Sequence, residues 1–116
     1  MMEPTKALDV LGALAQESRL AVYRVLVQAG EPGMPAGAIA TRLGLPASSL
    51  SFHLAQLQAA GLITRRRAGR SRIYAPDFRV MAGLVGFLTE NCSQGQGCGI
   101  VAGCGAAVPT KEKSAA

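Results

Sequence analysis

The residues best suited to chemistry in this 116-residue chain are its three cysteines, Cys92, Cys98 and Cys104. Five residues separate each cysteine from the next, and glycines in these intervals let the chain fold back on itself. Three thiolates suit a soft, thiophilic ion, and trivalent arsenic, with its one lone pair, takes three sulfurs in a pyramid. Structural zinc requires four ligands, and the sequence offers no evident fourth. The three cysteines are therefore candidate ligands for a soft ion that takes three sulfurs, of which As(III) and the chemically similar Sb(III) are examples.

Other uses of the cysteines stay open. They could remain reduced thiols without a ligand, or two of them could form a disulfide in a thiol redox or persulfide sensor. A thiol enzyme is disfavoured because its nucleophile needs a partnering base, and the chain has one histidine, His53, and seven acidic residues. We expect neither an enzyme nor an organic cofactor.

The positive charge of the chain is concentrated in one segment. The net charge is +5, and no acidic residue lies between Glu31 and Asp77. This segment carries six arginines, Arg42, Arg65, Arg66, Arg67, Arg70 and Arg72. A local field of one sign is typical of a surface that binds a polyanion, although a solvated basic loop is the simpler alternative.

The elements that would position these residues follow from hydrophobic periodicity. Leu8, Leu11 and Leu14 have helical spacing, and Gly44 and Gly61 favour a turn and a helix end. Two stretches with β-branched residues flank Ala68-Gly69, which predicts a hairpin turn. The pattern predicts helices over 6–15, 18–29, 35–43, 46–60 and 77–90 and strands over 62–67 and 70–75. We expect a mainly α fold with a β-hairpin, a winged helix-turn-helix.

The helix over 46–60 has the composition of a DNA-reading helix. Leu50, Leu54 and Leu57 form its inward seam, and a helix of this size fits the major groove. Phe52 is expected to project outward, where it could meet a thymine methyl group, unless it fills a crevice of the fold. Away from the seam lie Ser48, Ser49, Ser51, Phe52, His53 and Gln56. Ser48 and Ser49 could instead be ordinary residues of a helix start. His53 could instead be a packing residue.

The hairpin would place arginines beside this helix, toward phosphates or the minor groove. Side chains alternate along a strand, so Arg65 and Arg67 share a face and Arg66 points the other way. The predicted DNA contacts of the wing are therefore Arg65, Arg67, Arg70 and Arg72. Double-stranded operator DNA is the expected partner.

Three stretches resemble successive landmarks of the ArsR/SmtB family of metal-responsive repressors: LAQESRLAVYRVLV, IATRLGLPASSLSFHLAQLQAAGLI and RRRAGRSRIYAP. The resemblance covers about residues 5–90. It implies a homodimer built through the first and last helices, and a recognition helix that corresponds to residues 46–60. It also implies repression that is relieved when a metal or metalloid binds.

The family places its sensing residues in different positions. A branch with a Cys-x-Cys pair at the start of the recognition helix is excluded because residues 45–50 contain no cysteine. The last helix has no histidine, which argues against a second branch with zinc ligands there. The stretch around Cys92, FLTENC, resembles arsenic-responsive members with cysteines after the last helix. Those members often carry two adjacent cysteines, whereas Ser93 follows Cys92 here, so the third thiol would come from Cys104.

Length and composition set the remaining expectations. The length suits one domain, and a domain this small is often stabilised by oligomerisation. No apolar run is long enough for a membrane span, and the first residues lack a secretion pattern, so we expect a cytoplasmic protein with reduced thiols. We divide the chain into a DNA-binding and dimerisation domain, 1–90, and a flexible Cys/Gly-rich tail with the metalloid site, 91–116.

Overall fold

A computed structural model describes residues 2–91 of the chain. The predicted metalloid ligands Cys92, Cys98 and Cys104 lie outside these residues, as does the predicted tail beyond Asn91. The proposed boundary at residue 90 therefore stays a prediction. Within the described residues, no helix is both long enough and apolar enough to cross a membrane.

Five helices form where the periodicity predicts them, with ends that shift by one or two residues. Local sequence explains several ends: the Gln16 side chain accepts a hydrogen bond from the Arg19 backbone N–H at 2.8 Å, and Asp77 accepts one from the Arg79 N–H at 3.0 Å. Gly44 takes the left-handed conformation, with φ of 67°, between the third and fourth helices. The helices are α1 (Pro4–Leu14), α2 (Glu17–Ala29), α3 (Ala36–Leu43), α4 (Ala47–Ala59) and α5 (Phe78–Leu88).

The sheet has three antiparallel strands, one more than the sequence predicts. The strands are β1 (Met34–Pro35), β2 (Ile63–Ala68) and β3 (Ser71–Pro76), in the spatial order β1-β3-β2. The missed strand β1 has only two residues, too few for an alternating pattern. It reaches β3 because Gly33 has φ of 74° and passes so close to Tyr74 that a Cβ atom would collide with the Tyr74 carbonyl oxygen.

The hairpin turn is Gly69-Arg70, and the prediction of Ala68-Gly69 was wrong by one residue. Ala68 pairs with Ser71 across the ladder, which leaves two residues in the loop. Gly69 has φ of 65° and Arg70 has no positive φ, as in a type II′ turn with glycine at the first central position. Arg70 therefore lies at the tip of the wing.

The core is built around α2 and the inward seam of α4. Val22 and Leu26 of α2 are fully buried, as are Leu57 and Leu62 at the end of the helix-turn-helix. The inward face of α1 is formed by Ala7 and Val10, which are buried, whereas Leu8 and Leu11 are 68% and 39% exposed. On α5, Leu84 is buried but Leu88 is 57% exposed. Apolar side chains on the first and last helices are thus left without cover in a single chain.

The predicted fold class is confirmed: the protein is mainly α with a β-hairpin and forms a winged helix-turn-helix. Helices α3 and α4 form the helix-turn-helix, and β2 and β3 form the wing.

Candidate nucleic-acid interface

Helix α4 is held in the fold by its apolar seam. Leu50, Leu54 and Leu57 are buried, as predicted. The turn that precedes the helix is closed by a hydrogen bond from the Leu45 N–H to the Ala40 carbonyl, at 3.1 Å. Burial of the seam fixes which side of α4 faces solvent, because a helix cannot turn without exposing those leucines.

The outward side of α4 is polar except for one aromatic ring. Ser48, Ser51 and Gln56 are exposed, whereas Ser49 and His53 are partly buried. Phe52 is 58% exposed, so it does not fill a crevice of the chain. A large apolar ring exposed among small polar side chains is suited to contact with the methyl group of thymine. Base contacts by these residues stay a prediction.

His53 is more constrained than its neighbours. Its Nδ1 atom is buried and has no hydrogen-bond partner within residues 2–91. The ring packs edge-on against Phe52, with centroids 5.9 Å apart and an interplanar angle of 64°. Any contact that His53 makes with DNA would therefore use Nε2, and its ring helps to hold Phe52 in place.

The wing arginines divide into two groups. Arg65 and Arg67 share a face of β2 and stand opposite Tyr74 and Arg72 of β3. Arg66 points to the other face, as predicted, and its Nη2 atom donates a hydrogen bond to the Pro32 carbonyl at 2.9 Å. All four arginines predicted to contact DNA are exposed: Arg65, Arg67, Arg70 and Arg72. The structure thus brings these four to the surface and ties Arg66 to the loop before β1.

The charge of the wing is not neutralised by nearby carboxylates. Within residues 2–91, the only ion pair joins Arg79 to Asp77, at 3.2 Å. The side-chain hydrogen bond from Arg79 is the main cause that lowers the pKa of Asp77, while burial opposes the shift. Asp77 is therefore ionised and already paired at the base of β3. The exposed arginines keep a positive field that a polyanion could neutralise.

The end of α4 is closed by a motif that the sequence indicated only in part. Gly61, with φ of 81°, allows the Gly61 and Leu62 N–H groups to bond the carbonyls of Gln58 and Leu57, at 2.9 and 3.0 Å. This is the Schellman pattern. Lys6 of α1 adds a hydrogen bond from Nζ to the Ala60 carbonyl, at 2.7 Å. Gly61 indicated the end of α4 in the sequence, but no feature of the sequence indicated that Lys6 takes part in the cap.

The described residues hold no group of three or more histidine, cysteine, aspartate or glutamate side chains that could bind a metal ion. The three predicted ligands lie outside them, so the metalloid site stays a prediction.

Known proteins resemble this chain in sequence. A family model described as a helix-turn-helix domain matches residues 14–66. A Halobacterium salinarum protein named as a putative arsenical resistance operon repressor, ArsR, is 41% identical over 76 residues, which are 66% of this chain and 58% of that protein. The nodulation protein NolR of Rhizobium meliloti is 32% identical over 72% of this chain and 66% of its own length. The chain thus spans about three-fifths to two-thirds of these two curated relatives.

Several solved structures also resemble this chain in fold. An ArsR-like transcriptional regulator from Rhodococcus superposes with a TM-score of 0.69 at 26% identity, covering 78% of this chain and 82% of that one. A homodimeric winged helix-turn-helix DNA-binding domain from Mycobacterium bovis superposes with a TM-score of 0.61 at 27% identity. That match covers 79% of this chain and 85% of the other.

Proposed function

This chain belongs to the ArsR family of transcriptional regulators, and we propose that it is a homodimeric repressor released from operator DNA by trivalent arsenic. In this proposal, α4 enters the major groove and the wing contacts the backbone. Cys92, Cys98 and Cys104 bind the inducer. The protein acts in the cytoplasm, where its thiols stay reduced.

The observation that carries the DNA-binding part is that both α4 and the wing expose side chains suited to DNA, polar on α4 and positively charged on the wing. The exposed residues of α4 include Phe52 and Gln56, and four exposed arginines of the wing have no carboxylate partner within the described residues. Phosphate contacts supply affinity and register, whereas side chains in the groove supply sequence preference. The arrangement offers both kinds of contact from one domain.

The exposed apolar residues of α1 and α5 support the dimer. Leu8, Leu11 and Leu88 are all more than a third exposed in the single chain. Removing such side chains from water contributes about 25 cal/mol per Å² of apolar surface. The related Mycobacterium bovis domain is described as homodimeric. A two-fold dimer would present two α4 helices to two half-sites of a palindromic operator.

Three observations support the inducer. The chain offers three cysteines, and its sequence gives no evident fourth ligand for a zinc site. Its Halobacterium relative carries the name of an arsenical resistance repressor. Cys92 follows directly after the segment that ends α5, so metalloid binding would act next to the proposed dimer helix. Release requires that As(III) bind the DNA-incompetent state more tightly, because a ligand shifts an equilibrium only by its differential affinity.

One titration tests the proposal. The fully reduced protein is bound to a selected operator fragment and titrated with As(III), Sb(III), Zn(II) and hydrogen peroxide, with release read by gel shift. We expect release by As(III) and Sb(III) at about one ion per protomer, and none by Zn(II). Release by peroxide alone would favour the thiol redox or persulfide sensor instead. A protein that binds no DNA under any of these conditions would contradict the whole proposal.

A further inference from the structure

We propose that Lys6 is a positioning residue, which ties the recognition helix α4 to the dimer helix α1 and so sets the separation of the two α4 helices. The inference rests on the proposed function as a DNA-binding dimer. It concerns a residue of α1 that is not among those predicted to contact DNA, and it assigns that residue an effect on which operators the dimer binds.

The end of α4 has hydrogen-bonding capacity that its own residues leave unfilled. A helix leaves its last four carbonyls without partners inside the helix. The Schellman motif satisfies those of Leu57 and Gln58. The Ala60 carbonyl accepts from Lys6 Nζ at 2.7 Å, across 54 residues of sequence. Lys6 therefore satisfies a carbonyl at the end of α4 for which α4 supplies no donor of its own.

Lys6 also acts electrostatically on the end of α4. The C-terminal end of a helix carries partial negative charge, which a cation stabilises. Helix α4 has no basic residue in its last turn, so Lys6 supplies this charge from α1. Both Lys6 and Gly61 are partly buried, and a Cβ atom at Gly61 would lie 3.2 Å from Lys6 Nζ. A charged hydrogen bond in such a partly buried place is stronger than one in open solvent.

The position of Lys6 on α1 relates the end of α4 to the proposed dimer surface. The next residue, Ala7, is buried in the core, whereas Leu8 is 68% exposed on the surface proposed to meet the partner. Helix α1 thus contacts α4 on one side and offers apolar side chains on another. Apolar packing between α1 and α4 permits small shifts, but the Lys6 hydrogen bond is directional. It fixes the end of α4 relative to the proposed dimer axis.

Operator spacing reports on this geometry. In a two-fold dimer the distance between recognition helices determines the spacing of the half-sites. A rigid link makes the dimer reject operators whose half-sites are displaced. A looser link allows α4 to adjust, so that binding weakens at the correct spacing and the dimer no longer discriminates between spacings.

The test uses the full chain and three substitutions. Lys6→Met keeps the aliphatic stem and removes the donor and the charge, whereas Lys6→Arg keeps both. Arg24→Met is the control, because Arg24 is exposed on α2 and forms no hydrogen bond or ion pair through its side chain within residues 2–91. Affinity is measured for the selected operator, and for operators with one base pair added or removed at the centre, over a range of salt concentrations.

We expect Lys6→Met to bind the selected operator about five- to tenfold more weakly, with the slope against log salt unchanged because the protein still neutralises the same phosphates. Its discrimination between spacings should fall by a similar factor, while Lys6→Arg and Arg24→Met should behave like wild type. Affinity and discrimination at the wild-type level in Lys6→Met would overturn the inference. A salt slope lower by about one would also overturn it, because Lys6 would then touch a phosphate.

A measurement without DNA separates this inference from the proposed function. Amide hydrogen exchange of residues 57–62 should be faster in Lys6→Met than in wild type, and equal exchange would refute the link even if operator binding failed for other reasons. If Lys6→Met does not fold, Lys6→Gln replaces it, and we expect intermediate exchange and intermediate discrimination. Wild-type values in that variant would reject the inference.

Discussion

Arg67 and Arg72 stand directly opposite each other on the β2–β3 ladder of the wing. Like charges in opposite positions destabilise a strand pair by a few tenths of a kcal/mol or more. Both side chains are exposed, and neither forms an ion pair within residues 2–91. This local cost is removed when a phosphate group lies between or beside the two guanidinium groups.

Arg67→Ala and Arg72→Ala should each weaken binding to all DNA sequences alike. The slope of log affinity against log salt should fall by about one for each phosphate that is no longer neutralised, because fewer counterions are released. Arg24→Ala, which removes an exposed cation from α2, serves as the control. Unfolding experiments should show no decrease in stability, since the repulsion is relieved. Wild-type binding by both variants at every salt concentration would mean that the wing does not contact DNA.

Arg66→Ala should behave differently from its neighbour Arg67→Ala. Arg66 donates to the Pro32 carbonyl and thereby holds the wing to the loop before β1. We expect weaker binding with an unchanged salt slope, because the wing is less well placed but still neutralises the same phosphates. Filter-binding titrations at several salt concentrations provide the slope. A slope reduced as much as in Arg67→Ala would show that Arg66 leaves Pro32 and binds phosphate.

Leu88→Asp should convert the dimer to monomers and abolish operator binding. Leu88 is 57% exposed in the single chain, and a carboxylate placed in an apolar interface would cost several kcal/mol. Light scattering gives the mass. Val27→Asp is the matched control, because Val27 is 37% exposed on α2, outside the predicted interface. A stable Leu88→Asp dimer would move the interface away from the end of α5.

Single replacement of each cysteine by serine tests the inducer site. A serine hydroxyl is a poor ligand for a soft ion, so the As(III) response should weaken greatly in Cys92→Ser and Cys98→Ser. DNA affinity without inducer should stay at the wild-type level, because the cysteines are not among the residues predicted to contact DNA. A normal response in Cys104→Ser would favour a two-thiol site or a ligand from the partner chain. Normal responses in all three variants would refute the metalloid site and leave the DNA-binding proposal intact.

Asp77 should make stability depend on pH in the acid range. Its carboxylate caps α5 and accepts from Arg79 Nε at 3.2 Å, and this hydrogen bond lowers its pKa in the folded state. The contribution is therefore complete above the unfolded pKa of about 3.9 and disappears as pH falls through the lower folded value. Urea unfolding at neutral pH should show that Asp77→Ala is less stable by about 1 kcal/mol. The difference from wild type should be smaller at an acid pH below about 3.9 than at neutral pH. A difference that is the same at both pH values would contradict this role.

Periodicity alone determined the elements with a regular apolar pattern. Leu50, Leu54 and Leu57 repeat at helical spacing, and their burial is what places Phe52 and Gln56 on the outer side of α4. The alternation along β2 likewise separated Arg66 from Arg65 and Arg67. These predictions succeeded because the geometry of a helix or strand relates neighbours that are a few residues apart, whatever the rest of the fold does.

Tertiary structure decided every feature that joins distant parts of the chain. The strand β1 forms because β3 lies beside it and Gly33 permits a close approach. Arg66 meets Pro32 across 34 residues, and Lys6 meets Ala60 across 54. No local pattern identifies such partners, because a carbonyl at a loop or a helix end accepts from whichever donor the packing of the core brings within about 3 Å. For the same reason, the sequence predicted the reading helix and the wing, whereas only the folded chain showed that Lys6 and Arg66 bond to the elements beside them.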